Sequence, residues 1–293
     1  MSGIEQGTRP GGILWLASYP KSGNTWLRAF LANYWAGAQK PVPINELPNF
    51  ALGDGMLVHY EQLSGKPAAE LDEEEVRALR PKVHEWFATH SSETVMVKTH
   101  NYLGHEGGVP LITPHATFGA VYVVRNPLDV AVSYAHHFQA SLDNAVRALT
   151  EENTILPGDE KLLPSFVGSW SQHVRSWTEM PGLHCHVMRY EDMLNKPGPT
   201  FGKLIDFLGV PREPRRLADA VKFSSFKELK KQEERDSFIE ARPDGSTKFF
   251  RAGRTGGWHG ELSEDQVQQI VEANAQIMRK FGYLDDKGNV TGR

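Results

Sequence analysis

ILWLASYPKSGNTWLRAFLANYW, residues 13–35, is the stretch whose reading decides the fold. Ile13 to Ala17 is an apolar run of the length of a buried strand. Tyr19-Pro20 breaks the run, and Lys21-Ser22-Gly23-Asn24-Thr25 follows as a small polar loop. Trp26, Leu27, Phe30, Leu31, Tyr34 and Trp35 then recur at helical spacing. The order is strand, tight loop, helix. A helix N-terminus carries unpaired N–H groups and partial positive charge, so a loop holding a lysine and a glycine at that point suits a phosphate. The same residues would also serve as a plain surface turn between strand and helix.

The rest of the chain repeats the alternation. Thr94 to Lys98 reads as a second strand followed by Thr99-His100-Asn101, and Phe118 to Val124 as a third followed by Arg125-Asn126-Pro127. Asn126 can cap a helix whose first residue is Pro127, continuing LDVAVSYAHHFQ. Cys185 to Met188 gives a short fourth strand, ending in Arg189-Tyr190-Glu191-Asp192. Glu70 to His90 reads as a helix that Pro81 splits or kinks, and Glu261 to Gly282 as an amphipathic helix. Three segments have no clear period: the proline-rich stretch after Ala36, Ser141 to Phe166 apart from a short helix, and Lys231 to Gly257. Strands alternating with helices predict an α/β fold, a mostly parallel, doubly wound sheet flanked by helices. Residues 1–12 read as a flexible tail and 13–293 as a single domain. Lys21, Lys98 with His100, Arg125 and Tyr190 all fall at or just after predicted strand ends, which in a parallel sheet share one ligand-binding edge.

Composition narrows the function. The chain has 293 residues, 40% of them hydrophobic, enough for a sizeable core, and a net charge of −4 gives no electrostatic case for nucleic acid. The single cysteine, Cys185, fits a reducing compartment. No apolar run reaches the length of a membrane span and Met1 to Gly12 lacks a signal-peptide core, so a cytoplasmic protein is expected. A Walker A loop does not fit, because the lysine precedes the glycine. The histidines form no convincing metal set and no carboxylate cluster suits Mg²⁺, so no metal is expected.

YPKSGNTW closely resembles the 5′-phosphosulfate loop of the cytosolic-type sulfotransferases, which use 3′-phosphoadenosine 5′-phosphosulfate (PAPS) and release the bisphosphate PAP. The family usually has threonine where Asn24 stands. The resemblance extends from Leu14 to about Glu261 in separated blocks. It implies a P-loop-like nucleotide-binding architecture, with Lys21, Ser22, Gly23, Asn24 and Thr25 around the 5′ end of the nucleotide. VYVVRNPLDVAVSYAHH resembles the 3′-phosphate motif, which implies that Arg125 and Ser133 hold that phosphate. FFRAGRTGGWHG resembles the C-terminal motif R-K-G-x-x-G-D-W-K, so Arg251, Ala252 and Gly253 are expected at the same phosphate. The family lysine is missing at Ala252, and Arg254 is a candidate replacement. Trp26, Tyr190 and Phe226 are expected around adenine. Lys98-Thr99-His100 resembles the family's K-T-H segment, which implies His100 as general base, with Lys98 expected to hold sulfuryl oxygens and Lys21 to stabilise charge growing on the leaving 5′-phosphate.

The expected function is transfer of a sulfuryl group to a hydroxyl or amine of a small-molecule acceptor. The alternatives are a metal-dependent nucleotide phosphotransferase and a catalytically silent nucleotide-binding protein. Trp35, Tyr60, Trp86, Phe87 and Phe138 stand in or beside segments that would build the acceptor pocket, and suit an apolar or phenolic molecule, though they would equally serve as core. The family's C-terminal dimer signature is not evident, which leaves the oligomeric state open.

Overall fold

Alternation along Ile13–Ser18 (β1) places Ile13, Trp15 and Ala17 in one apolar cluster and Leu14 and Leu16 in another. A strand buried on both faces needs helices on both sides. The computed structural model, which describes residues 11–37, 39–91, 93–241 and 248–291, shows that arrangement. The other sheet strands are Leu52–Gly53 (β2), Val95–Thr99 (β3), Thr117–Val124 (β4) and Cys185–Arg189 (β5). They run in the order β2-β3-β1-β4-β5, and every pairing is parallel. The chain starts at the centre, goes to one edge and crosses β1 to reach β4. The crevice beyond the carboxyl end of β1 is therefore the place where such sheets bind ligands.

Helix Asn24–Ala36 (α1) packs on the Leu14 face, with Leu27, Phe30, Leu31 and Tyr34 buried. It ends at Gly37, whose φ of 53° gives the left-handed cap that glycine adopts without strain. Helix Pro197–Phe207 also contributes to that face, through Phe201, Leu204 and Ile205. The opposite face receives Glu73–Thr89 (α2), Pro127–Phe138 (α3), Trp170–Thr178 (α4) and Glu264–Lys280 (α5).

Some boundaries depart from the sequence reading. α2 runs unbroken through Pro81. A proline inside a helix costs about 3 kcal/mol. Burial of Val83, Phe87 and Ala88, and a capping box between Asp72 and Glu75, work in the opposite direction. The segment expected to be irregular from Lys231 opens as the last turns of helix Phe226–Asp236. Ser141 to Phe166 holds helix Leu142–Thr150 and a two-strand ribbon of Ile155–Leu156 with Ser165–Phe166. The proline-rich stretch after Ala36 supplies β2, an edge strand missed in the sequence because it has only two residues. Of the expected N-terminal tail, residues 1–10 lie outside the described residues, but Gly11 is buried and the Gly12 carbonyl accepts from Val95 N at 3.1 Å. Pro243 and Gly245 lie outside the described residues as well.

The carboxyl ends of β4 and β5 are tied to the C-terminal region through Glu191. Its carboxylate accepts from Asn126 N at 3.0 Å and from the Tyr283 hydroxyl at 2.8 Å, and both side chains are buried. Tyr283→Phe leaves one of those oxygens short of a donor and should lower the unfolding free energy by about 1–3 kcal/mol. Urea denaturation measures this, and an unchanged midpoint would contradict the assignment.

Candidate functional site

Each of the five sheet strands hands over to a different residue at its carboxyl end: Tyr19, Asp54, His100, Arg125 and Tyr190. The register brings these ends level, pairing Ala17 with Thr99, Ser18 with Val123, Gly53 with Lys98 and Val124 with Arg189. The four polar positions singled out in the sequence thus share one edge.

Beyond β1 the chain turns sharply. Lys21 has φ 66° and Gly23 φ 109°, both left-handed. A Cβ at Gly23 would lie 2.8 Å from the Tyr190 ring, so glycine is required there by space as well as by conformation. The Lys21 carbonyl accepts from Arg125 Nη1 at 3.0 Å, bridging residues 104 apart in sequence. The Arg125 guanidinium lies 4.2 Å from the centre of the Tyr190 ring, and its Nη2 donates to Arg254 O at 3.3 Å. The Lys21 ammonium lies 4.1 Å from the centre of the Phe249 ring. Loss of hydration, together with Arg125 and Lys98 nearby, lowers the Lys21 pKa to about 7. Lys98 is shifted down by burial and by Arg28.

His100 is held by its Nδ1, which donates to the Ser18 carbonyl at 2.8 Å. A carbonyl can only accept, so the proton is on Nδ1 and Nε2 carries the lone pair. Burial and the Lys98 charge push the ring well below its usual pKa, which keeps it neutral at physiological pH. Behind it, His173 Nε2 donates to the His100 carbonyl at 3.0 Å and His173 Nδ1 accepts from the Tyr122 hydroxyl at 2.9 Å.

Asn24 is committed to structure: its Nδ2 donates to Leu16 O at 2.8 Å and its Oδ1 accepts from Arg28 Nε at 3.2 Å. Arg28, buried, grips Glu240 with both terminal nitrogens at 2.7 and 2.6 Å. Burial pushes the Glu240 carboxyl up, but Lys98 and Arg28 outweigh that and hold it at about 2. Asp129, buried in the first turn of α3, accepts from Gly256 N at 2.9 Å and Trp258 N at 3.2 Å, fastening the glycine-rich segment beside Arg125. Trp26 meets Tyr190 edge-on at 5.6 Å, and Phe226 packs against the same apolar cluster. Gly253 lies flat on Phe226, since a Cβ there would stand 2.3 Å from the ring. Ser133 is on α3 and Arg251 is exposed with Ala252; among the described residues no hydrogen bond joins Ser133 or Arg251 to Arg125.

Among the described residues, four buried polar atoms close to the Lys21 turn and Arg125 have no hydrogen-bond partner: Ser18 Oγ, Ser22 Oγ, Trp26 Nε1 and Arg125 Nε. Each can donate, which suits a polyanion. Among the described residues no group of three or more His, Cys, Asp or Glu could hold a metal ion. No helix there is long and apolar enough to cross a membrane. Sequence reasoning missed Arg28, Glu240, Asp129 and Phe249. Arg28 sits one turn after Asn24 and was legible by spacing. Glu240 gave no local signal, and Phe249 opens the block FFRAGRTGGWHG without a charge or spacing that marks it.

Comparison with known proteins fits this geometry. The Sulfotransferase domain family matches residues 13–282, so the chain belongs to the sulfotransferase family and is an enzyme of that class. It is 25% identical over 270 residues to flavonol 3-sulfotransferase of Flaveria bidentis, covering 88% of this chain and 78% of that one. It is 27% identical over 282 residues to sulfotransferase 1A1 of Canis lupus familiaris, covering 92% and 84%. Among solved structures, mouse sulfotransferase SULT7A1 complexed with PAP superposes with a TM-score of 0.58 at 19% identity, covering 96% of this chain and 87% of that one. Retinol dehydratase complexed with retinol and PAP gives 0.63 at 20% identity, covering 92% and 82%. These two structures share the α/β fold described above.

With a pKa near 7, Lys21 is only partly protonated in the free protein at neutral pH. An anion beside it raises that pKa. Binding of a polyanion there between pH 7 and 8 should therefore take up protons, and affinity should fall as pH rises through that range. Calorimetry in buffers of different ionisation enthalpy reads the uptake; a value of zero would show that Lys21 does not meet the ligand.

Proposed function

We propose that this protein transfers a sulfuryl group from PAPS to a hydroxyl or amine of a small-molecule acceptor, within a single domain spanning residues 13–293. The observation that carries this reading is the bond from Arg125 to the Lys21 carbonyl, which joins two anion-binding motifs far apart in sequence into one surface. The orphaned donors of Ser22, Trp26 and Arg125 support it, because they suit the oxygens and base of a bisphosphorylated nucleotide.

Lys21 and the N–H groups of Ser22 to Thr25 hold the 5′ end of the nucleotide at the start of α1. Arg125 and Ser133 hold the 3′-phosphate, with Arg251 and the backbone of Ala252 and Gly253 closing on it. Trp26, Tyr190 and Phe226 surround the adenine. PAPS supplies the activated sulfuryl group. His100 takes the acceptor proton on Nε2, the nitrogen left with a lone pair by the bond to Ser18. Lys98 holds sulfuryl oxygens beside it. The fixed cations serve the small negative charge of a sulfuryl group, and no metal is assigned a role. Tyr134, Phe138 and His137 form an aromatic set running to Phe249, which lies over Lys21, and this favours an apolar or phenolic acceptor. The chemistry requires no membrane or nucleic acid and fits a cytoplasmic protein.

Two substitutions separate binding from chemistry. Arg125→Ala should weaken PAP about 10- to 100-fold by calorimetry, the size of a lost charge-assisted bond. His100→Ala should keep PAP affinity and lose about 10²- to 10⁴-fold in turnover. Turnover is read with radiolabelled PAPS and a panel of phenols, alcohols and amines. Tighter binding of ATP than of PAP would refute the donor, and a fully active His100→Ala would refute the base.

A further inference from the structure

Asp54 belongs to none of the motifs above, and it stands at the carboxyl end of the edge strand β2. Among the described residues that strand pairs only with β3, through Leu52 with Val97 and Gly53 with Lys98. Asp54 N donates to Lys98 O at 3.2 Å, continuing the ladder by one residue. The side chain then turns in and is buried. A single oxygen, Oδ2, accepts from Thr99 Oγ1 at 2.6 Å and from Asn101 Nδ2 at 2.9 Å. These are the two residues on either side of His100.

The hydrogen bonds around this carboxylate have one consistent direction. Thr99 gives its proton to Asp54, so its oxygen is left to accept from Asn101 N, at 3.0 Å. Asn101 Oδ1 accepts from Phe166 N at 2.8 Å, and its carbonyl accepts from Trp177 Nε1 at 3.0 Å. Burying a carboxylate is costly, and a turn as short as this could be closed by a hydroxyl or an amide. One oxygen shared by residues 99 and 101 fixes their separation, and with it the direction in which residue 100 leaves the backbone. The ring needs such control. Its Nδ1 must stay on Ser18 O for Nε2 to keep the lone pair.

We propose that Asp54 is a positioning residue for His100: its Oδ2 clamps Thr99 and Asn101 so that the imidazole keeps one tautomer and presents Nε2 to the acceptor. The two-residue strand β2, otherwise a minimal edge, delivers this carboxylate. The proposal rests on His100 being the base, and its test does not depend on turnover.

Histidine-specific ¹⁵N labelling with long-range proton–nitrogen spectra reads the tautomer of His100, assigned by comparison with His100→Gln. The full-length wild-type protein should show a locked Nδ1–H ring at neutral pH. Asp54→Ala should show a ring exchanging between tautomers, with PAP affinity within about twofold of wild type. Asp54→Asn, whose amide oxygen can accept both bonds, should restore the locked pattern. A locked ring in Asp54→Ala overturns the proposal, as does loss of PAP affinity in parallel with loss of the lock. Should Asp54→Ala fail to fold, Thr99→Val and Asn101→Ala each remove one of the two donors, and locked rings in both overturn it equally. A fully active His100→Ala refutes the base and leaves the tautomer result standing. A locked ring in Asp54→Ala refutes Asp54 and leaves the base untouched.

Discussion

Repulsion among gathered cations is the constraint on which the rest of the structure depends. Lys21, Arg125 and Lys98 are close enough to shift one another's or their neighbours' charge, in surroundings that hydrate them poorly. Two like charges about 4 Å apart cost about 4 kcal/mol at the effective dielectric of a protein surface. The fold meets that cost by partial measures. Lys21 gives up some of its protonation and lies on a phenylalanine face, Arg125 lies on a tyrosine face, and Glu240 offsets Arg28 and Lys98. An anionic ligand relieves the same repulsion, so affinity for one is built into the charge distribution.

The architecture accounts for how those cations meet. In a parallel sheet every strand ends on the same side, and here each of the five ends is followed by a residue with a task. Tyr19 leads into the lysine turn, Asp54 reaches the neighbours of His100, His100 itself bonds the Ser18 carbonyl within reach of the Lys98 charge, Arg125 spans to the Lys21 carbonyl, and Tyr190 forms the floor beneath Arg125. Close packing does the fine adjustment. Gly23 admits the Tyr190 ring where any side chain would exclude it, and Gly253 does the same for Phe226. Asp129 anchors the segment that follows, so the C-terminal motif lies beside Arg125 although it is more than a hundred residues away.

Much of this was legible in the sequence, for a physical reason. β1 and β4 are nearly continuous apolar runs, β3 and β5 are shorter ones carrying Lys98 and His186, and the polar residues after all four have to lie on one edge once the sheet is parallel. The parts that were not legible are those fixed by contacts between distant segments. A two-residue strand such as β2 has no period, so Asp54 looked like part of a proline-punctuated loop. Pro81 should break a helix by its own chemistry, yet the buried face of α2 holds the helix together. Glu240 joins the site through Arg28, 212 residues earlier, and through the Lys98 charge, and nothing in the local sequence around it signals either partner.

The central claim is that the Lys21 turn and Arg125 belong to one bisphosphorylated nucleotide. A crystal structure of the protein grown with PAP tests it most directly. The account predicts a single PAP molecule with its 5′-phosphate on the Lys21 turn and its 3′-phosphate against Arg125. PAP bound elsewhere, or touching one of the two residues while the other faces away from it, would contradict the account.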